Sequence, residues 1–371
     1  MKTYEYENIV FSPLSDPKVI PGEMVNVEIP QPALDGTLPQ EYFDRLEEIN
    51  DTYRQIVDPK TGRRFEVAQT HPTSVSDGVD LEISTYSSSL TGNVGNAAEF
   101  ALHSLAHPAR ARLYLASIGN GGSDPFTKEE LEYFAKTGRT TWEEGDTTTA
   151  IPTVQSLARA LASEDLEVTR ISTDSFGGNI ASGLVAELDP SQVTHAYMKG
   201  KPNVSNFGWP RFVWRMMVRE GLINNPKNLK ESNDPWRLTP EIIDEVKKAL
   251  PNIYSKTSPK FSGGGGLGQL LAYSNGLKRS SSKGRLLGPS QDVIAAKEHN
   301  PNLLLTFDFP DQDLLYKGRE DIIRFLQQIT DMPRVVSGRS PKGIITPGTH
   351  ASHAAEPQRR IAAEHFAFRR R

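Results

Sequence analysis

The chain of 371 residues contains no cysteine. That excludes disulfides, thiol nucleophiles and cysteine metal sites together. No run of about 18 apolar residues occurs, so no membrane-spanning helix is expected. The opening MKTYEYENIVFSP lacks the apolar core of a secretory signal, and a soluble, cytoplasmic protein without a cleaved leader is the expectation. A long basic stripe is also missing and the net charge is −4, so nucleic acid is not expected as a partner. Arg369-Arg370-Arg371 reads as a solvated tail. The length suffices for one large domain or two ordinary ones.

What is present centres on Leu166 to Leu188. Leu166 to Ser172 is rich in β-branched residues and reads as a buried strand. Ile180, Leu184 and Leu188 recur at helical spacing. Between them, Thr173-Asp174-Ser175-Phe176-Gly177-Gly178 sets a serine on a sharp strand-to-helix turn. This is the pattern of a nucleophile elbow, which needs small residues two before and two after the serine. Gly177 meets the need fully and Thr173 less well. A Ser-Gly loop that merely caps a helix has the same composition.

Along the chain, residues 1–50 form an arm or extension. Tyr4 to Phe11 and Met24 to Ile29 read as extended segments punctuated by prolines. The arm either grips a partner or a second copy, or packs on its own domain. A short helix is expected over Leu46 to Tyr53. YRQIVD and RRFEVAQ flank Pro59-Lys60-Thr61-Gly62 as a hairpin. Strands are expected at Val79–Thr85, Ala109–Ser117, Val193–Met198, Asn302–Phe307 and Lys342–Thr346. Helices are expected at Asn96–Ala106, Thr147–Ala162, Asp292–His299, Arg319–Ile329 and Gln358–Phe368. This alternation implies a mostly parallel, doubly wound α/β sheet covered on both faces.

The alternation lapses over residues 201–295, which read as a mostly helical insertion. Pro240 to Leu250 is a clear helix within it, with Thr239 as N-cap. The insertion divides the core into residues 51–200 and 296–371. Its run Ser262 to Gly268 matches G-x-G-x-x-G but follows no strand, so a dinucleotide site is rejected.

Three residue types then stand in one order: Ser175, an aspartate after a strand, and a histidine after the last strand. Loops after strand C-termini meet along one edge of such a sheet. A serine hydroxyl needs an imidazole to take its proton, and a carboxylate holds that imidazole in the right tautomer. Asp311 is preferred as the acid, ahead of Asp313 and Asp308. His350 is preferred over His353. His103 and His107, four apart on a helix, read as surface histidines rather than a metal site. The oxyanion donors are expected from the backbone N–H groups of Phe176 and of Tyr86 or Ser87.

On these motifs the chain resembles the α/β-hydrolase family over residues 52–371, most of 200–295 excepted. Strand–TDSFG–helix, Gly119-Asn120-Gly121-Gly122-Ser123, and Gly348-Thr349-His350 with Pro357 carry the resemblance. Thr173-Asp174 departs from the usual Gly-His before the nucleophile, and Asp308 stands where a glycine often precedes the acid. The resemblance implies a serine esterase with a Ser-Asp-His triad and no metal or organic cofactor, acting on a small ester or acyl substrate. It also implies that 201–295 is a cap over the site. Trp209, Phe212, Trp214 and Met217 then either line an acyl pocket or form the cap's own core. A binding or structural module within a larger assembly is the competing reading. Haloalkane and epoxide hydrolases of the family carry an aspartate at the elbow, and Ser175 argues against them.

Overall fold

Segments rich in β-branched and aromatic residues become strands, and the apolar 3.6-residue stripes become the helices that cover them. The computed structural model describes residues 2–10, 18–33, 36–71, 78–84, 89–144, 147–200, 209–255, 288–314, 341–350 and 355–369, together with 269, 271, 272, 274–276, 323 and 325–327. In chain order it contains β1 (Lys2–Val10), β2 (Lys18–Val27), α1 (Gln40–Thr52), β3 (Arg54–Val57), β4 (Arg64–Thr70), β5 (Val79–Ile83), α2 (Val94–Ala106) and β6 (Ala111–Leu115). Then come α3 (Lys128–Thr137), β7 (Thr141–Glu144), β8 (Thr147–Ala150), α4 (Pro152–Ser163), β9 (Val168–Asp174), α5 (Gly177–Val185) and β10 (His195–Lys199). α6 (Trp209–Val213) continues as a π-helical segment, Trp214–Asn224, into α7 (Asn225–Glu231). α8 (Pro240–Ala249), α9 (Pro251–Tyr254), α10 (Gly288–His299), β11 (Leu304–Pro310), β12 (Lys342–Thr346) and α11 (Pro357–Phe368) complete the order.

Ten strands form one sheet in the order β2-β1-β12-β11-β10-β9-β5-β6-β4-β3. The six from β12 to β6 run parallel. β4 is antiparallel to β6, and β3 to β4, as the hairpin sequence requires. β5, β6 and β10 are buried at every position, as strands covered on both faces must be. One apolar cluster gathers Val154 and Leu157 of α4, Ile180 and Leu184 of α5 and Val293 of α10 against one face. The other gathers Leu46 of α1, Phe100 of α2, Val246 of α8 and Ile361 of α11. The architecture is α/β-hydrolase-like: a mostly parallel, doubly wound sheet between helical layers.

Several expectations change in the structure. The N-terminal segments are strands of the main sheet: β1 pairs β12 antiparallel, and β2 pairs β1. The helix expected over Thr147–Ala162 begins only at Pro152. Three consecutive threonines favour extended backbone and pair as β8 with β7, while Pro152 takes the first helical turn, where its missing N–H costs nothing. α3 lies in a stretch for which no element was anticipated. It carries a capping box between Thr127 and Glu130 and ends at Gly138 with φ 70. β11 runs to Pro310 rather than Phe307, because Phe309 and Pro310 still pair with β12.

The insertion is tied to the core along part of its length. Trp236 is buried against Tyr42 of α1, ring centroids 4.8 Å apart, and its indole N–H donates to the Pro30 carbonyl. Thr239 caps α8 by accepting from Ile242 N at 3.4 Å. Most of the helix expected over Arg319–Ile329 lies outside the described residues, within which Phe325 and Leu326 are fully buried.

Candidate active site

β9 ends at Asp174 and α5 begins at Gly177, so two residues reverse the chain. Ser175 takes φ 50, a left-handed conformation uncommon for a residue with a Cβ. Ser175 N donates to the Lys199 carbonyl at the end of β10, 2.8 Å away, and its own carbonyl accepts from Gly178 N at 3.1 Å. Gly177 is required for packing. A Cβ there would stand 2.5 Å from the Ile83 carbonyl oxygen and 2.9 Å from that of Ser84. The elbow therefore presses directly on the end of β5. Thr173, the less favourable flanking residue, is wholly buried, and its hydroxyl donates to the Tyr197 carbonyl at 3.3 Å.

The histidine arrives from the other side. After β12, the loop through Gly348 brings His350 into the protein, 6 % exposed. His350 Nδ1–H donates to Asp313 Oδ2 at 2.7 Å. Nε2 is then left as the basic nitrogen, the tautomer that general-base work needs. Gly200, with φ 56, makes room for the ring: a Cβ there would lie 2.8 Å from His350 Cε1. Gly200 directly follows Lys199, whose carbonyl holds Ser175. One dipeptide at the end of β10 thus touches the nucleophile's backbone and the imidazole.

Asp313, not Asp311, faces His350. The longer β11 explains the difference. With the strand ending at Pro310, Asp311 falls in the turn, where its backbone N–H donates to Thr346 O at 2.9 Å and its carboxylate accepts from Gly348 N at 2.8 Å. It closes the loop that delivers His350. Asp308 lies within β11, buried, accepting from the Tyr197 and Thr346 hydroxyls at 2.5 Å each. Burial pushes its carboxyl above the ordinary range, against Lys199 and Thr346, which act to lower it. His353 lies outside the described residues.

Burial alone would lower the His350 pKa. The facing Asp313 carboxylate outweighs it through charge and hydrogen bond, with Asp174 and Glu220 adding to the effect, and holds the pKa above the ordinary imidazole value. Asp174, the unusual residue before the serine, is buried, with Arg360 of α11 4.0 Å away. Glu220 belongs to the π-helical segment, which also reaches the site's loops. Arg215 donates to the Leu314 carbonyl at 2.8 Å, and Asn228 of α7 donates to Thr349 Oγ1 at 3.1 Å.

Phe176 is the N-cap residue of α5. Tyr86 and Ser87 lie outside the described residues. Of the anticipated pocket residues, Phe212 is buried in the main apolar cluster, whereas Trp214 is 56 % exposed. The side chains of Trp209 and Met217 lie outside the described residues.

His103 and His107 are not on the surface. His103 is fully buried and its Nδ1 lies 2.9 Å from Glu364 Oε2, while the His107 ring stacks on His365 at 4.0 Å. Arg112 reaches Glu364 at 2.6 Å and Glu82 at 3.0 Å, and Arg360 bonds Glu99. Burial pulls the His107 pKa well below its ordinary value, His365 adding to it and Glu364 opposing. Among the described residues no group of three metal-ligating side chains is poised for an ion. The helical spacing of these residues on α2 and α11 is visible in the sequence, but their burial against β6 becomes visible only once the sheet is assembled.

No family model matches the chain, and no curated relative does. Among solved structures the chain is similar to E-2-(acetamidomethylene)succinate hydrolase, at 12 % identity and TM-score 0.48, covering 85 % of this chain and 98 % of that one. It is similar to an esterase from Rhodococcus sp. ECU1013, at 14 % identity and TM-score 0.46, covering 85 % and 98 %. It is also similar to a haloalkane dehalogenase from Agrobacterium tumefaciens C58, at 12 % identity and TM-score 0.47, covering 87 % and 96 %. Among the described residues no helix is long and apolar enough to cross a membrane.

Proposed function

We propose that this α/β-hydrolase-like chain is a serine hydrolase that cleaves a small carboxylic ester, and an amide less readily, with Ser175 as nucleophile, His350 as base and Asp313 as its orienting acid. The observation that carries the reading is the strained Ser175, φ 50, bonded to the same β10 end that cradles the buried His350–Asp313 pair. Ser175 Oγ attacks the substrate carbonyl while His350 Nε2 takes its proton. The oxyanion is held by the Phe176 N–H and a second N–H from the loop after β5. Collapse expels the alcohol, which takes the proton back from His350, and leaves an acyl-enzyme. Water, deprotonated by His350, then attacks the acyl carbonyl and releases the acid. Asp313 fixes the tautomer and stabilises the imidazolium.

The contacts of Arg215 and Asn228 with Leu314 and Thr349 support a cap role for residues 209–231. A fluorophosphonate probe tests the reading. Labelling at Ser175, lost in Ser175→Ala, together with turnover of short-chain aryl esters, is the expected result. An unlabelled, inactive wild-type protein would instead point to a binding module on the same fold.

A further inference from the structure

Asp313 and His350 each sit next to a residue that the insertion holds. Up to Gly348 the turn between β11 and β12 is tied by its own bonds. Asp311 N donates to Thr346 O and Gln312 N to Gly348 O, both at 2.9 Å, and Gly348 N donates to Asp311 Oδ1 at 2.8 Å. Beyond that turn, three contacts come from one continuous helical run. Arg215, in the π-helical segment, donates from its guanidinium to the carbonyl of Leu314, the residue after Asp313, at 2.8 Å. Asn228 of α7 donates from Nδ2 to the hydroxyl oxygen of Thr349, the residue before His350, at 3.1 Å. Ser232, which closes α7, donates from its hydroxyl to the Ala355 carbonyl on the far side of His350, at 2.5 Å. Asn228 and Ser232 are an i, i+4 pair on one side of the helix, and Ser232 N bonds the Asn228 carbonyl at 2.9 Å.

Helix formation does not ask for these residues. Asparagine inside a helix is poorer than alanine, because its side chain competes for backbone hydrogen bonds. Arg215 is half-buried, and burial first, then the charges of Arg211 and Arg219, pull its pKa below the ordinary guanidinium value. An uncharged residue would avoid both costs. What the two side chains do supply is a donor each, and each donor ends on a residue adjoining the acid–base pair.

We propose that Asn228 is a positioning residue for ester hydrolysis: with Arg215 and Ser232 it makes the helical run from 215 to 232 a brace that holds the chain carrying Asp313 and the chain carrying His350 in one register. This inference rests on the serine-hydrolase reading. His350 Nε2 must meet the Ser175 hydroxyl while Nδ1 keeps its 2.7 Å bond to Asp313. The acid follows β11 and the base follows β12, so the chain beyond two strands has to agree, and the brace spans both. The insertion then sets the geometry of proton transfer, beside any contact it makes with substrate.

The test is Asn228→Ala in the full chain with a short-chain aryl ester. Alanine is the better helix former, so α7 should persist. kcat should fall about 10-fold while KM stays within about 2-fold, since a misplacement of about 1 Å can cost about 100-fold. Fluorophosphonate labelling of Ser175 should slow in parallel, because it needs the same base. Thr349→Val removes the same bond from its other end, and the Asn228→Ala/Thr349→Val double variant should lose no more than the larger single loss. Unchanged kcat, a rise in KM alone, or additive losses in the double variant would overturn the inference. Should Asn228→Ala fail to fold, Ser232→Ala frees the far side of the base: a few-fold fall in kcat supports the brace, and none refutes it. The failures are distinguishable. If Ser175→Ala retains activity, the hydrolase reading itself is wrong. If Ser175→Ala is dead and Asn228→Ala is unimpaired, only the brace is wrong.

Discussion

His350 pairs with Asp313, and His103 pairs with Glu364. At the strand ends stand Ser175, His350 and Asp313. Beneath the sheet stand Ser172, His103 and Glu364, where Ser172 Oγ donates to Glu364 Oε2 at 3.1 Å and His103 Nδ1 lies 2.9 Å from the same oxygen. The histidine–carboxylate distances, 2.7 Å and 2.9 Å, hardly separate the two pairs. Three physical differences do. Ser172 lies mid-strand and spends its hydroxyl on the carboxylate, whereas Ser175 is lifted onto a left-handed turn. Glu364 is shared among Arg112, His103 and His107. Burial alone would raise its pKa, but Arg112 and His103 hold it well below the ordinary value, as a fixed counter-charge. His350 is tuned the opposite way, upward, by the charge and hydrogen bond of the facing Asp313.

The largest effect that tests this contrast is on turnover. Ser175→Ala should lower kcat about 10⁴- to 10⁶-fold, whereas Ser172→Ala should leave it within about 2-fold, both measured on an aryl ester. Comparable losses in the two variants would erase the distinction. Next, Asp313→Asn should reduce kcat about 10⁴-fold with little change in Tm, because the wrong tautomer is left on His350. Asp311→Asn weakens only a loop bond to Gly348 and should cost less than about 10-fold.

Glu364→Gln should do the reverse of Asp313→Asn. It leaves buried Arg112 with Glu82 alone of its two bonded carboxylates and should lower stability by about 3 kcal/mol in denaturant unfolding. kcat per folded molecule should change little. The linkage has a definite sign. The folded-state pKa of Glu364 is depressed, so its contribution is present above the unfolded carboxylate pKa and is lost as pH falls through the folded value. Acid unfolding of the wild type, followed by circular dichroism, should therefore be steeper than that of Glu364→Gln.

The smallest effect is a shift of a pH profile. His350 must be neutral to act as base, and its pKa is raised, so the acid limb of kcat/KM should lie above the ordinary imidazole value. Replacing Asp174 by Asn removes one of the charges that raise it and should move the limb downward. An unmoved limb would show that Asp174 does not act on His350.

Much of this was legible in the sequence. The elbow, the parallel alternation, the β3–β4 hairpin and the β12 boundaries all follow from local patterns: turn residues, β-branched runs and 3.6-residue spacing. That Asp313 rather than Asp311 bonds His350 is not legible locally, because the end of β11 is set by its pairing with β12, which no local pattern of Phe307 to Pro310 reveals. The burial of His103 was missed for a similar reason, since polar residues on an apolar helix face read as exposed until their partners from β5, β6 and α11 are brought beside them. Asn228 carries no motif at all. Its place within a short helix gives no sign that the residue before His350 lies beside it.

The pairing of β1 with β12 has a consequence for how the chain reaches this state. It joins the first described strand to the last, so the closure that secures it carries a long-loop entropy cost. Until then β12, whose end leads into the His350 loop, presents an open edge on one side. The β1–β2 pair thus covers that edge of β12, beside the loop that carries His350.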